Sequence, residues 1–291
     1  MRTWKPEYWF YLTQQFRALT KDLKSKLEGV VAGRVQPHTD LMAIGSARKV
    51  NAAVLFFDIR GSSNRSGLVA LYTLDVVIPM VMRIVHDHDG YVEKNTGDGV
   101  MAIFTGMDQQ VACKAAIESA LTCFYVLTHA INPHLAQVSI PSVDATIGID
   151  FGEILIARIG VPKGTANQDR SFLTAIGPAA NIACRLQEQA GTNQIWVGNA
   201  LKSRAPQECQ QFFKQVFPTE WTWVSTDTSN PYPAWHFHGF WQELKLPAST
   251  ILTSPLPLPP AGLLGLGHPP SLLPNSNALG TSILTSFLKD K

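Results

Sequence analysis

Six apolar residues in succession, Ala52-Ala-Val-Leu-Phe-Phe57, run straight into Asp58 and a glycine-containing turn, Ile59-Arg-Gly-Ser-Ser63. An uninterrupted apolar run of that kind reads as a buried strand, and it delivers a carboxylate to the strand's end. Farther along, Gly90-Tyr-Val-Glu-Lys-Asn-Thr-Gly-Asp-Gly-Val-Met-Ala-Ile-Phe104 sets two short β-rich runs around Gly97-Asp98-Gly99. Asp-Gly between such runs is a hairpin signal. If the hairpin pairs beside the first strand, Asp58 and Asp98 converge. Two converging carboxylates make a site for a hard divalent cation that carries phosphates.

Composition narrows the rest. A chain of 291 residues has room for one large or two small domains. Its net charge of +2 gives no bulk attraction to nucleic acid. Cys113, Cys123, Cys184 and Cys209 show neither close pairing nor Cys-x-x-Cys spacing. That usage reads as reduced thiols in a cytoplasmic protein, with no disulfide framework and no cysteine zinc site. The opening MRTWKPEYWFYL is too short and too aromatic for a signal peptide. No uninterrupted apolar stretch reaches ~18 residues, so no membrane-spanning helix is expected.

Along the chain, Tyr8 to Val30 carries Trp9, Leu12, Phe16, Leu19, Leu23 and Leu27 at helical spacing, which predicts a packing or dimerisation helix. Arg34 to Arg48 reads as a loop. Leu68 to His88 is a second apolar-periodic helix ended by Asp89-Gly90. His86-Asp-His-Asp89 has metal-ligand composition, but adjacent helical positions do not share a face, so a solvated helix end is expected. A third helix spans Asp108 to Asn132. Asp144 to Gly160 reads as two strands around Gly152-Glu153, followed by a polar loop from Val161 to Arg170. The PKGT within that loop lacks the frame of a phosphate-binding P-loop. Ser171 to Ile176 is a strand, Gly177-Pro178 opens a helix running to about Ala190, and Gln194 to Val197 is a further strand. The aromatic runs TEWTWVST and PAWHFHGFW suggest a terminal hairpin. His236 and His238 would share one face of it, as surface histidines on an edge strand or as a zinc pair. From Leu246 to Leu288 there is no charged residue, and eight prolines fall between Pro247 and Pro274. Such a tail wraps the surface or is disordered.

Four segments together resemble the class III nucleotide cyclases. They are FFDIRGSS, EKNTGDGVMAIF, GIDFGEILIARIG and TAIGPAANIACRL, in the family's order between Ala52 and Leu186. Each alone is weak; the ordered set of four is what makes chance unlikely. Three departures accompany the match. Ala157 stands where the third glycine of the third motif is usual, Ser62-Ser63 where Phe-Thr is usual, and Pro178-Ala-Ala180 where a polar residue and Val are usual. The resemblance implies an α+β fold: a mixed, largely antiparallel sheet covered by helices. It divides the chain into a lead-in (1–50), a catalytic domain (51–205), a C-terminal helix and aromatic hairpin (206–245) and the proline-rich tail (246–291).

The resemblance also implies a head-to-tail homodimer with composite sites for a nucleoside triphosphate. Asp58, Asp98 and the Ile59 carbonyl of one subunit would hold two divalent cations, Mg²⁺ or Mn²⁺, with Phe57 beside the substrate. The partner would supply Lys94 and Thr174 to the base, and Asn181 and Arg185 to the ribose and the transition state. Arg170 is a candidate for the triphosphate. In that chemistry the ribose 3′-oxygen attacks the α-phosphorus and pyrophosphate leaves. A compact cyclase with a DIRGSS turn and a GPAANIA helix looks most like the bacterial pyrimidine cyclases of the Pycsar antiphage system, whose cyclic UMP or cyclic CMP activates a separate effector. Lys94 with Thr174 is the family's adenine-reading pairing, yet both residues can also serve a pyrimidine. The base therefore stays open among UTP, CTP and ATP. A cyclase-like module that binds nucleotide without turnover is a further alternative.

Overall fold

The computed structural model describes residues 6–21, 47–65, 67–106, 108–161, 170–224 and 230–239. Its spine is β1 (Ala47–Ile59). On one side β1 pairs antiparallel with β3 (Gly99–Thr105), and β3 with β2 (Tyr91–Asn95). On the other side it pairs antiparallel with β4 (Ala145–Val161), which in turn pairs with β5 (Arg170–Ile176) and, in parallel, with β6 (Ile195–Gly198). The sheet continues through β8 (Ala234–Phe237) to β7 (Phe213–Val216). The helices are α1 (Pro6–Lys21), α2 (Gly67–Asp87), α3 (Gln109–Val126), α4 (Asn132–Gln137), α5 (Pro178–Gln189) and α6 (Asn199–Arg204). A wide π turn, Leu127–Ile131, joins α3 to α4. This is the α+β layering the sequence implied.

Alternation along β1 sorts its side chains between two cores. Ala52 and Val54 face α5 and pack with Met101, Ile103, Ile154 and the helix alanines Ala179, Ala180 and Ala183. Ala53, Leu55, Phe57 and Ile59, all within 1% of full burial, face the opposite side, where α2 and α3 cover the sheet. The α5 layer is close because its contact residues are small. A Cβ on Gly148 would lie 2.1 Å from the Ala183 carbonyl, and one on Gly152 3.1 Å from the Ala179 Cβ. Asp58 has the parity of Ala52 and Val54, so it emerges on the α5 side at the strand's end.

Several expectations change. Ala145–Val161 is one continuous strand, because Gly152 serves the approach of α5 and not a turn. His88 is buried, 7% exposed, with Nδ1 2.8 Å from the Ile84 carbonyl and Nε2 3.4 Å from Thr122, so His86 and Asp89 are exposed at the helix end and His88 is not. β8 lies between β6 and β7, so His236 is on an interior strand; β7 and not the preceding aromatic run pairs with it. Strand β1 begins at Ala47, inside the stretch read as loop. Two helices, Gly67–Asp87 and Gln109–Gln137, are long and apolar enough by length and composition to cross a membrane, although neither is an uninterrupted apolar run. Their most apolar windows are 56% and 67% buried in the domain, as core helices are. The helix reading over 22–30, the loop over 162–169 and the tail 246–291 lie outside the described residues.

Candidate active site

The register of β1 with β3 sets Asp58 opposite Gly99, and the Ile59 N–H donates to the Asp98 carbonyl at 3.1 Å. The turn of the β2–β3 hairpin is thereby fastened to the end of β1. Glycine is required at 99: a Cβ there would lie 2.9 Å from both the Asp58 carboxylate and the Phe57 carbonyl. After Asp58 the chain turns through Gly61, whose φ of 66° is left-handed, into a short 3₁₀ turn, Ser62–Asn64. This turn brings the Ser62 hydroxyl to donate to Asp98 Oδ2.

Half-burial, then the neighbouring Asp98, push the Asp58 carboxyl up from 3.8 to about 6, against a smaller opposing pull from Arg60. Two carboxylates held this way repel each other, and a divalent cation reverses that repulsion. The donor set fits a hard cation: two carboxylates at adjoining backbone turns, with the remaining positions left to backbone and phosphate oxygens. Beside it opens a cavity of about 260 Å³ lined by Ile59, Ser62, Ser63, Arg65, Gly97 and Asp98 among others. Arg65 is fixed at its rim by hydrogen bonds of 3.0 and 2.8 Å to the Pro141 and Ser142 carbonyls.

Asn181 and Arg185 are exposed on α5, with Glu188 on the same stripe, while Ala179, Ala183 and Leu186 face the protein. Arg185 Nη1 donates to Glu188 Oε2 at 2.7 Å. The chain thus turns both residues outward instead of onto its own carboxylate pair. Lys94 and Thr174 do meet, Nζ to Oγ1, at 3.4 Å. They are joined across strands by Glu93, whose buried Oε1 accepts from the Ala175 N–H at 2.9 Å and whose Oε2 lies 3.5 Å from Lys94 Nζ. A bulge between Val92 and Lys94 is what admits Glu93.

Thr174 occupies the middle of an apolar face. Leu155 opposite Ile176, and Ile159 opposite Phe172, flank the Ala157–Thr174 pair on one side of the β4–β5 hairpin. These four large side chains are 43–64% exposed.

Phe57 needs correcting as a substrate contact: its side chain is 1% exposed on the α2–α3 side of β1, so only its backbone reaches the carboxylates. Arg170 is the first residue of β5, opposite Val161; its side chain is outside the described set. Sequence reasoning missed Ser62, Glu93 and Arg60, whose Nη2 donates to the Ala190 carbonyl and ties the turn to the end of α5. No local signal marks these partners, because each reaches a residue far away in the chain.

No protein-family model matches the chain. It is 24% identical over 190 residues to the terminal-differentiation-specific adenylate cyclase of Dictyostelium discoideum, covering 64% of this chain and 8% of that protein. It is 29% identical over 177 residues to a cytidylate cyclase of Escherichia coli, covering 56% and 38%. It is 23% identical over 236 residues to the uridylate cyclase of Burkholderia cepacia, covering 71% and 99%. The chain therefore spans well under half of the first two relatives. Among solved structures it is similar to the adenylyl cyclase CyaB from P. aeruginosa (TM-score 0.56, 17% identity, 68% of this chain and 99% of that one). It is equally similar to the guanylyl cyclase Cya2 (TM-score 0.56, 18% identity, 69% and 98%). The fold is that of the nucleotide cyclase catalytic domain.

Proposed function

We propose that this chain, a cyclase by fold and resembling the Pycsar pyrimidine cyclases, converts a nucleoside triphosphate into its 3′,5′-cyclic monophosphate and pyrophosphate. The observation that carries the reading is the meeting of Asp58 and Asp98 at two strand ends, with the Asp58 carboxyl pushed up to about 6 by burial and by its neighbour. Such a pair is costly to keep without a cation and suits one that binds phosphate oxygens. Two Mg²⁺ or Mn²⁺ ions, when bound there, lower the pKa of the ribose hydroxyl and hold the leaving phosphates. The chain's own residues do the rest. Asp58 and Asp98 anchor the phosphate end, with the Ile59 carbonyl beside them. Ser62 orients Asp98, and the Arg65 cavity accommodates the terminal phosphates. Asn181 aligns the ribose. Arg185 meets the charge that grows on the phosphoryl oxygens, so it counts more in the transition state than in the ground state. The bond from the 3′-oxygen to the α-phosphorus forms as the bond to pyrophosphate breaks, and the hydroxyl proton is released.

Arg185 and Asn181 face outward from their own carboxylate pair, so we take the site to be composite, completed by a second copy. The exposed apolar face of the β4–β5 hairpin supports the same view, since a contiguous patch of that kind marks an interaction surface. Lys94 and Thr174 sit at that face and are the base-reading pair. We favour UTP or CTP, on the likeness to the cytidylate and uridylate cyclases, with the product acting on a separate effector in antiphage signalling in the cytoplasm. An adenylate cyclase is the second reading, favoured by the Lys94–Thr174 contact and by the Dictyostelium relative. The test is incubation with each of the four nucleoside triphosphates and Mn²⁺, with products resolved by mass. A pyrimidine enzyme turns over UTP or CTP at least ~10-fold faster than ATP, about 1.4 kcal/mol of discrimination. An ATP preference selects the second reading, and no cyclic product from any of the four leaves a nucleotide-binding module without turnover.

A further inference from the structure

A larger cavity, about 470 Å³, lies between the end of α3 and β8. That volume is in the range that holds a small-molecule ligand. Its walls are of two kinds. Phe124 and Tyr125, the latter packed edge-on with Trp9, supply ring surface, the buried Phe237 closes the floor, and His129, His236 and His238 supply imidazoles. The π turn that follows α3 is widened at Leu127–Ile131, and both Thr128 and His129 are exposed on it. Such insertions recur at binding sites. Tyr125 and His129 pack with ring centroids 4.4 Å apart, and His236 and His238 with centroids 6.1 Å apart. Lys214 is the cross-strand neighbour of His236. Burial first, then His238 and Lys214, hold His236 below its ordinary value. Among the described residues that line the cavity there is no carboxylate. The amide of Asn193 at its edge is already engaged, with Oδ1 accepting from the Ala145 N–H at 3.1 Å and Nδ2 donating to Asp144 Oδ1 at 2.7 Å, which makes that wall rigid. Aromatic walls, imidazole donors and a nearby ammonium select a planar ring that carries an anionic group.

We infer that this cavity is a second ligand site, shaped for a nucleoside monophosphate, with the base against the Phe124–Tyr125 wall and the phosphate against His129, His236 and His238. It is separate from the carboxylate pair and does not depend on turnover there. Calorimetric titration of the full chain with UMP tests it, with uridine and inorganic phosphate as the two halves of the probe. UMP is expected to bind at least tenfold more tightly than either half. His129→Leu with His238→Leu, both at exposed positions, is expected to weaken UMP at least tenfold. Thr128→Trp, which fills the cavity from the exposed turn, is expected to do the same without removing an imidazole. Asp58→Ala and Arg185→Ala are expected to leave UMP binding unchanged. The inference is overturned if UMP does not bind, if it binds no better than uridine, or if folded cavity variants retain wild-type affinity. Loss of UMP binding in Asp58→Ala or Arg185→Ala also overturns it, because the nucleotide is then held at the cyclase site. The titration reads the same way if the four triphosphates give no cyclic product, so failure of the cyclase reading and failure of this one are distinguishable.

Discussion

Asp58, Asp98 and Arg185 are set apart by what surrounds them. The two carboxylates are half-buried at strand ends and press on each other, whereas Arg185 is exposed and engaged only by Glu188 among its described partners. An exposed ion pair of that kind is weak, so the guanidinium can exchange Glu188 for a phosphate. Removing either carboxylate by Asp58→Ala or Asp98→Ala is expected to abolish product while thermal melting stays close to wild type. Retention of more than about a tenth of the activity, a barrier change under ~1.4 kcal/mol, would sink their assignment. Arg185→Ala is expected to lower kcat roughly 10²–10³-fold, the scale of one charge-stabilising donor, with a smaller change in nucleotide affinity. Weakened binding at unchanged kcat would instead make Arg185 a ground-state anchor. The carboxylate pair was legible because Asp58 ends an apolar run and Asp98 sits in an Asp-Gly turn, and both are local signals. Ser62 and Glu93 were not, since their partners, Asp98 and the Ala175 N–H, come from distant parts of the chain.

At the scale of elements, α5 is seated by the absence of side chains beneath it. A Cβ on Gly148 would lie 2.3 Å from the Gln187 nitrogen as well as 2.1 Å from the Ala183 carbonyl, and these are backbone atoms that cannot step aside. Gly148→Ala is therefore expected to cost roughly 1–3 kcal/mol or more, read as a lower denaturant midpoint; an unchanged midpoint would mean that the helix is not seated there. β4 also carries Asp150, 1% exposed, which accepts from the Tyr232 hydroxyl at 3.0 and 3.1 Å and occupies the space left by Gly198. Burial pushes its carboxyl up from 3.8 to about 7, with its hydrogen-bond donors and Arg204 offsetting part of that. A raised acid means that the folded protein keeps a proton the unfolded chain gives up. Its contribution is therefore most favourable below about pH 4, falls as pH climbs toward 7 and then levels. Asp150→Asn removes this titration, so its Tm is expected to decline less than that of wild type between about pH 4 and 7, the window in which only the unfolded chain has given up the proton. Parallel declines would refute the account. The break in β4 expected at Gly152-Glu153 shows why this layer was harder to read: glycine signals a turn locally but serves a helix contact here. The pairing of β7 and β8 with the main sheet was likewise hidden, because it depends on register between strands remote in sequence.

On the reading proposed above, the carboxylate pair and the outer stripe of α5 would be the two halves of one chemistry, carried on separate surfaces. The carboxylates lie at the β1–β3 strand ends, while Asn181 and Arg185 lie on the outer stripe of α5, and the apolar hairpin face with Thr174 is exposed. A symmetric dimer would give each copy's carboxylates the other copy's Asn181 and Arg185. An Asp58→Ala dimer then has two dead sites, and so does an Arg185→Ala dimer. In a mixed dimer both lesions fall in one site, leaving the other with an intact carboxylate pair and an intact arginine. Mixing the two inactive variants under conditions that let subunits exchange is therefore expected to restore activity, whereas each variant alone stays dead. Random exchange makes about half the dimers mixed, each with one working site, so roughly a quarter of wild-type activity should return if the sites act independently. Exchange is checked separately by pull-down of differently tagged subunits. Mixtures that stay inactive although exchange is seen would mean that the site is completed within a single chain, with Arg185 turning back onto its own carboxylate pair.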